Sequence, residues 1–506
     1  MSGIVYLIGA GPGDPGLLTL RGAELLARAD VVLYDGLSNS EMLAHAPSAL
    51  QICVGKHGQS RIWKQEEIID EMLRHARSGA QVARLKGGDP AVFARTAEEV
   101  EALRTAGISF EIVPGITAAL AAGSYAGIPI THRRYASAVA LVTGHEEPGK
   151  SESSLDWDAL ARFPGTLVVY MGVTTVQIWT SALINAGKCP DTPVAILRRC
   201  SLADQQTIHC RLDEVVDQLT PATKLRPPVI VIIGQVTRLA ETMAWFESRA
   251  LFGKTILVTR SEQQASELSG PLRELGANVL EQPAIEIDQP ENWQAVDSLI
   301  DQLNSFDYLV FSSRNGVRYF LDRLMALGHD MRALAAVKLA VVGRMTADAL
   351  LEYRLQADIV PADYNALSLA DLLVPIAGGK RLAILRASRG PDSLTIALEQ
   401  AGAIVTQVVS YSHRDVANAD PLIYEKMQRG EIDWVTVTSA AIANSLTRLF
   451  GASLRTAKLA SLSPAITHTL LELDHYVAAE ATAATMPSLV DAIRAAESLP
   501  TRPSNS

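Results

Sequence analysis

Short apolar runs alternate with amphipathic helical stretches along almost the whole of this 506-residue sequence. That alternation restricts the fold more than any other feature. Ile4–Ile8, Val31–Tyr34, Ile52–Val54, Val82–Leu85 and Ile112–Val113 read as strands, with helices over Leu17–Arg28, Gln65–Ser78 and Thr96–Thr105. In the second helix Ile68, Ile69, Met72 and Leu73 share a face, and Gly79 ends it. Strands separated by helices that must each bury one face predict a parallel sheet of the α/β class. One core does not serve a chain this long, so three or four compact units are expected.

A second pattern begins near Ala138, with strands at Val139–Val142, Leu167–Tyr170, Val194–Leu197 and Val229–Ile233 and a boundary near Tyr135. A helix-like connector, Leu239–Ala250, leads to a third section at Gly253 that carries a weak internal repeat. Gly253–Arg260 echoes Gly379–Arg386, Phe306–Ser313 echoes Ile432–Ser439, and Val337–Gly343 loosely echoes Ala457–Ser463. Two similar α/β lobes with Ser or Thr at matching strand ends follow, and the repeat alone suggests that they stand in tandem.

The formal charge is −10, from 45 basic and 55 acidic residues. That balance argues against nucleic-acid binding, and an anionic ligand would need a local cationic pocket. Cys53, Cys189, Cys200 and Cys210 form neither a CxxC pair nor a zinc spacing, so free thiols in a reducing cytosol and no metal site are expected. No signal-peptide pattern opens the chain. The apolar run Ile112–Ile130 is broken by Pro114, Gly115, Gly123, Gly127 and Pro129, which fits a buried loop and helix rather than a membrane span. A cytoplasmic protein without membrane partners is the expectation.

Two glycine loops concentrate the chemistry. Gly9-Ala10-Gly11-Pro12-Gly13-Asp14-Pro15 and Arg84-Leu85-Lys86-Gly87-Gly88-Asp89-Pro90 each follow a strand. Loops of this kind bring backbone amides to a ligand, and two of them suggest one shared small-molecule site. A dinucleotide loop with Asp35 on a ribose is the plain alternative. Against it, Pro12 and Pro15 remove amides from the cradle, and Asp14 stands where the third glycine belongs.

From Val5 to about Val236 the ordered segments resemble the uroporphyrinogen-III C-methyltransferase family. They include both glycine loops, Val31–Leu37, Val54-Gly55-Lys56, Val113–Ala119, Gly127–Arg133, Val142–His145 and Val169–Gly172. The resemblance implies a two-lobed class III tetrapyrrole methyltransferase (lobes 1–135 and 136–245), normally a homodimer, with S-adenosylmethionine bound between the lobes. It implies cofactor contacts at Pro12, Gly87, Gly88, Asp89, Val92, Thr117, Ala118 and Met171, and one at Cys200, where the local sequence departs from the family pattern. It casts Asp35 as proton acceptor and Lys56 as proton donor. A substrate with eight carboxylates demands cations; Arg61, Lys64, His132, Arg133 and Arg134 are candidates by their closeness in sequence to these segments.

Residues Gly253–Ile493 resemble uroporphyrinogen-III synthase, through Ile256–Arg260, Phe311–Val317, Ala340–Gly343, Val360-Pro361, Val409–Tyr411 and Thr436–Ser439. This resemblance implies two parallel α/β lobes, one of residues 253–287 plus 414–500 and the other of 288–413, rather than tandem halves. It also implies closure of hydroxymethylbilane to uroporphyrinogen III, a reaction that conformational control of a reactive substrate can largely drive. Ser312, Ser313, Asn315, Arg386, Thr438 and Ser439 are candidate donors to substrate carboxylates, and Tyr411 is the first candidate for helping the hydroxyl leave. Where the family often has threonines, this chain has Ser463-Pro464-Ala465-Ile466. A methyltransferase with a non-catalytic tetrapyrrole-binding second half is therefore the alternative.

Overall fold

The computed structural model describes residues 3–36, 38–55, 63–145, 153–220, 225–260, 262–363, 366–390 and 392–498. Two compact units emerge, the first essentially the chain up to Thr255 and the second essentially Ile256–Ala496 apart from 272–278. Four five-stranded sheets form their frames.

The first sheet holds β1 (Ile4–Gly9), β2 (Val31–Tyr34), β3 (Leu50–Cys53), β4 (Gln81–Lys86) and β5 (Ser109–Val113) in the order β3-β2-β4-β1-β5. Its pairings are all parallel. Helices cover both faces: Leu25 and Leu26 lie in one core, Ile68, Met72 and Leu103 in the other. Burial on both faces explains why the inner strands β1 and β2 are apolar runs rather than alternating ones. The carboxyl ends of β1, β2 and β4 therefore share one rim, the usual place for a ligand site in such sheets.

The second sheet holds β6 (Val139–Thr143), β7 (Thr166–Tyr170), β8 (Pro193–Arg198), β9 (Gln206–Arg211) and β10 (Val229–Ile233) in the order β6-β7-β10-β8-β9. Only β6 and β7 pair in parallel; β10 runs against both its neighbours, and β9 against β8. Sequence reading misses β9 because it is a polar edge strand, Gln-Thr-Ile-His-Cys-Arg, with no buried residue.

Two helix assignments need correction. The helix placed at Leu17–Arg28 begins at Leu20, where Thr19 caps it by accepting the Gly22 amide. The connector Leu239–Ala250 is helical only over Ala240–Met243. The chain then extends at Ala244, and the Trp245 and Phe246 rings pack against Tyr125, with the Trp245 indole bonded to the Ser124 carbonyl. Aromatic packing has overridden helical propensity there. The run Ile112–Ile130 resolves into the end of β5, a loop and a short helix, Ala118–Tyr125. Among the described residues no helix is long and apolar enough to cross a membrane.

In the second unit the third sheet holds β11 (Thr255–Val258) and β12 (Asn278–Glu281). The fourth takes β13 (Ile285–Asp288), β14 (Tyr308–Phe311), β15 (Lys338–Val341), β16 (Arg381–Ala387) and β17 (Ile404–Asp415). The chain then returns to the third with β18 (Trp434–Val437), β19 (Lys458–Ser461) and β20 (Val477–Glu480). The strand orders are β12-β11-β18-β19-β20 and β13-β17-β16-β14-β15. β17 is long enough to pair β16 in parallel with one stretch and β13 antiparallel with its end. The sequence echoes coincide with sheet positions: β11-β18-β19 in one sheet match β16-β14-β15 in the other.

Candidate active site

The two glycine loops leave the adjacent parallel strands β1 and β4 and bond directly to each other. Gly11 N–H donates to the Gly88 carbonyl at 3.1 Å, and Gly88 N–H returns a bond at 2.8 Å. The loop after β5 joins them through Asp89, whose carboxylate accepts the amides of Ala91 at 2.7 Å and Gly115 at 3.0 Å. No side chain fits at this junction. A Cβ on Gly115 would lie 2.3 Å from the Gly88 oxygen and 2.7 Å from the Gly9 Cα.

One direction stays open. A Cβ on Gly87 would have nothing within 4 Å, and one on Gly88, whose φ is +71°, would have only Ala118 N and Thr117 Cα at 3.8 Å. The structure thus brings Gly88 beside Thr117 and Ala118 and leaves Gly87 open. Thr117 Oγ1 lies 2.7 Å from the Tyr170 hydroxyl, which also accepts the Ala119 amide at 2.9 Å. Burial pushes the Tyr170 hydroxyl pKa up. This tyrosine from β7, absent from the sequence candidates, ties the second sheet to the rim of the first. Met171 follows it, half exposed with φ 53°. Val92 packs against the core of the second sheet.

Pro12 is half-buried in the first loop. That loop is stitched down just after it: Asn39 donates to the Gly13 carbonyl, Asp14 N–H donates to Ser201, and the Tyr125 hydroxyl donates to the Asp14 carboxylate. Cys200 is buried, and its carbonyl lies beside Gly13. Burial pushes its thiol up to about 12.

Asp35 follows β2 on the same rim and lines a cavity of about 570 Å³ together with Arg84, Lys86, Gly87 and Val92. Its Oδ1 accepts from Arg84 Nη2 at 2.6 Å. Arg84 and Lys86 are almost fully buried, and both reach the fully buried Glu99: Arg84 Nε at 3.3 Å and Lys86 Nζ at 2.7 Å. Burial, reinforced by the neighbouring Arg84 charge, lowers the Lys86 pKa despite Glu99. Arg84 and Lys86 stand within the second glycine motif, where the sequence alone assigns them no role. Glu99 reads there as an ordinary first-turn acid of the helix Thr96–Thr105.

Lys56 and Arg61 lie outside the described residues. Lys64 lines the Asp35 cavity. His132 closes a tight turn with Ala136 and stacks on Tyr135; Arg133 and Arg134 are exposed. None of these three lines the Asp35 cavity.

In the second unit a cavity of about 630 Å³ is walled by Asn315, Thr438 and Ser439, with Ile285, Ile287 and Met486 adding apolar surface. Its basic side chains are Arg260, Arg389 and His413, none of them a sequence candidate. Burial and the nearby Arg389 lower the His413 pKa. Arg389 is held by Asp415 at 3.0 Å, and Asp415 also pairs with Arg448. The other candidates stand back from this wall. Ser312 donates to the Leu385 carbonyl, and Arg386 is consumed by Asp392, Gln407 and the Gly390 carbonyl. Ser313 caps the helix Arg314–Ala326, as Ser439 caps Ala440–Phe450. Tyr411 is buried, stacks on Tyr319 and shares a 2.8 Å hydrogen bond with Ser313. Among the described residues no group of His, Cys, Asp or Glu could hold a metal ion.

Residues 4–216 match the tetrapyrrole (corrin/porphyrin) methylases and residues 266–491 match uroporphyrinogen-III synthase HemD. A porphyrin biosynthesis protein HemD of Ruminiclostridium josui is 35% identical over 463 residues, covering 91% of each chain. A Methanosarcina barkeri S-adenosyl-L-methionine-dependent uroporphyrinogen III methyltransferase is 46% identical over 242 residues, 48% of this chain and 94% of that protein. The chain belongs to the tetrapyrrole methylases, fused to a uroporphyrinogen-III synthase HemD module. It is a bifunctional enzyme of tetrapyrrole biosynthesis. Among solved structures, a uroporphyrin-III C-methyltransferase from Thermus thermophilus complexed with S-adenosylhomocysteine is 44% identical, covers 47% of this chain and all of its own, and has a TM-score of 0.41. The glycine junction and the Asp35 cavity lie in the methylase module, the Arg260–Arg389–His413 cavity in the synthase module.

Proposed function

We propose that the synthase module closes hydroxymethylbilane to uroporphyrinogen III with inversion of ring D. The methylase module then methylates the product at carbons 2 and 7, giving precorrin-2 through precorrin-1. In this reading the protein works in the cytosol as a homodimer through its methylase module. The open face at Gly87 and Gly88, next to Thr117-Ala118 and the Asp35 cavity, is the observation that carries it.

S-adenosylmethionine, when bound, supplies an electrophilic methyl group, which a pyrrole carbon takes as the carbon–sulfur bond breaks and its electron pair stays on sulfur. The residues present fit such a cofactor, because Gly87 and Gly88 leave free the volume that side chains would fill. In this reading Pro12, Val92, Met171 and Cys200 add further cofactor contacts, and Asp89 acts indirectly by holding the Gly115 loop. The protein aligns the reacting carbon and handles a proton. Asp35 accepts the proton the macrocycle gives up, and Lys56 is the proton donor. Arg61, His132, Arg133 and Arg134 are the cations assigned to the substrate's carboxylates.

In the synthase module Asn315, Thr438 and Ser439, with Arg260, Arg389 and His413, receive the linear substrate's carboxylates. Ser312 and Arg386 shape the loops behind them. Tyr411 helps the hydroxyl leave and must give up its bond to Ser313 to do so. That engaged hydroxyl also favours the second reading, a synthase module that binds tetrapyrroles without turning them over. The full chain given hydroxymethylbilane and S-adenosylmethionine should yield precorrin-2, as it should from uroporphyrinogen III. Product from the preformed macrocycle alone would select the second reading; product from neither would overturn both.

A further inference from the structure

Asp35, Arg84, Lys86 and Glu99 form a charge cluster drawn from three elements: the end of β2, β4, and the helix Thr96–Thr105. With all four ionised its charges cancel. Glu99 is its hub, since one carboxylate oxygen faces Arg84 Nε and the other faces Lys86 Nζ. Gln65, on the helix Gln65–Arg77, also donates to Glu99 at 3.2 Å. Arg84 is further fixed by the Leu33 and Leu85 carbonyls, so its Nη2 can present only one way, toward Asp35. The other charged groups lining the cavity Asp35 faces are Lys64 and Arg95.

We infer that Glu99 is a positioning residue for methyl transfer, one that holds Arg84 aimed at Asp35 and pairs the second buried basic group, Lys86. The inference rests on the reading of Asp35 as proton acceptor. Without the Glu99 carboxylate, Arg84 Nε and Lys86 Nζ both lose their ion-pair partner, and the guanidinium that meets Asp35 keeps only the longer contacts to the Leu33 and Leu85 carbonyls to orient it. Misplacing a group that bears on the reacting proton lowers turnover more than it lowers binding.

The test is Glu99→Gln in the full chain, assayed with uroporphyrinogen III and S-adenosylmethionine across pH, with S-adenosylhomocysteine affinity by calorimetry and thermal unfolding beside it. The plateau rate should fall at least about tenfold while the KM for uroporphyrinogen III stays within about threefold. Affinity for S-adenosylhomocysteine should stay within about threefold, because Glu99 does not border the Gly87 opening. Adding Lys86→Met to Glu99→Gln removes the basic group left without its partner and keeps the test open should the single variant unfold; its plateau rate should stay low, since Arg84 still lacks Glu99. A plateau rate that stays put, or a loss that appears in KM rather than in the plateau rate, overturns the inference. Failure of the underlying reading looks different: Asp35→Asn would then turn over normally.

Discussion

Gly11 and Gly88 exchange backbone hydrogen bonds, N to O at 3.1 Å and 2.8 Å, across the carboxyl ends of β1 and β4. This small antiparallel bridge converts two separate strand-end loops into one surface. With Asp89 holding Gly115 against it, three loops meet without an intervening side chain, and the side of Gly87 stays open.

Two glycines that look alike in sequence should therefore behave oppositely. Gly115→Ala drives a Cβ into backbone atoms that cannot yield, and should cost about 1–3 kcal/mol or more in denaturant unfolding while abolishing S-adenosylhomocysteine binding in calorimetry. Gly87→Ala places its Cβ in open space, so stability should change by less than about 0.5 kcal/mol. Its affinity should nevertheless fall at least about tenfold.

Asp35→Asn preserves the shape of the rim and removes the proton acceptor. It should keep S-adenosylhomocysteine affinity and lose about 10²–10⁴-fold in methylation rate. A stopped assay for precorrin-2 with preformed uroporphyrinogen III measures it, and unchanged turnover would refute the assigned role.

Tyr411→Phe separates chemistry from packing in the synthase module. Losing the Ser313 bond should cost about 1 kcal/mol of stability. If the hydroxyl assists water loss, cyclisation should also slow by at least about tenfold, while Tyr319→Phe, which keeps the stacked rings, should leave the rate near its original value.

Hydrogen bonds from Arg389, with Arg448 adding to them, hold the Asp415 carboxyl below its ordinary range. A lowered carboxylate pKa contributes stability that is complete above the unfolded value of about 3.9 and is lost as pH falls through the native value. Thermal unfolding of the synthase module followed below pH 5 should show this decline, and Asp415→Asn should flatten it.

The cysteines should separate by exposure. Cys189 is exposed, whereas burial pushes the thiols of Cys200 and Cys210 up to about 12 and about 11. Brief alkylation at pH 7.5 should mark Cys189 and leave Cys200 and Cys210 unmodified until the protein is unfolded, as peptide mass spectrometry would record.

Much of the methylase site is legible in one dimension because its parts are local. A glycine pair after an apolar strand signals a strand-end loop, and Asp35 closes another apolar strand. The Glu99 cluster is not legible in this way. Arg84 and Lys86 alternate with apolar residues on a buried strand, and what keeps such charges tolerable is a carboxylate on a helix packed beside them. The synthase cavity is harder still, since Arg260, Arg389 and His413 come from distant segments, and the hydroxyl-bearing strand ends that looked like binding groups include helix caps.

Local periodicity determined by itself that this is an α/β chain, where most strands lie, and that two glycine loops matter, because burial on both faces of a sheet and left-handed turns leave marks on adjacent residues. It also carried the internal repeat, but not its arrangement. Read along the chain, the repeat suggests tandem lobes; in space Ile256 of β11 pairs with Trp434 of β18, while the intervening strands β13 to β17 build the other sheet. Family resemblance implied a split of this kind, but only tertiary structure decided the pairing itself, because parallel pairing depends on which distant strands bury complementary faces after the crossovers have formed, and no local pattern records that choice.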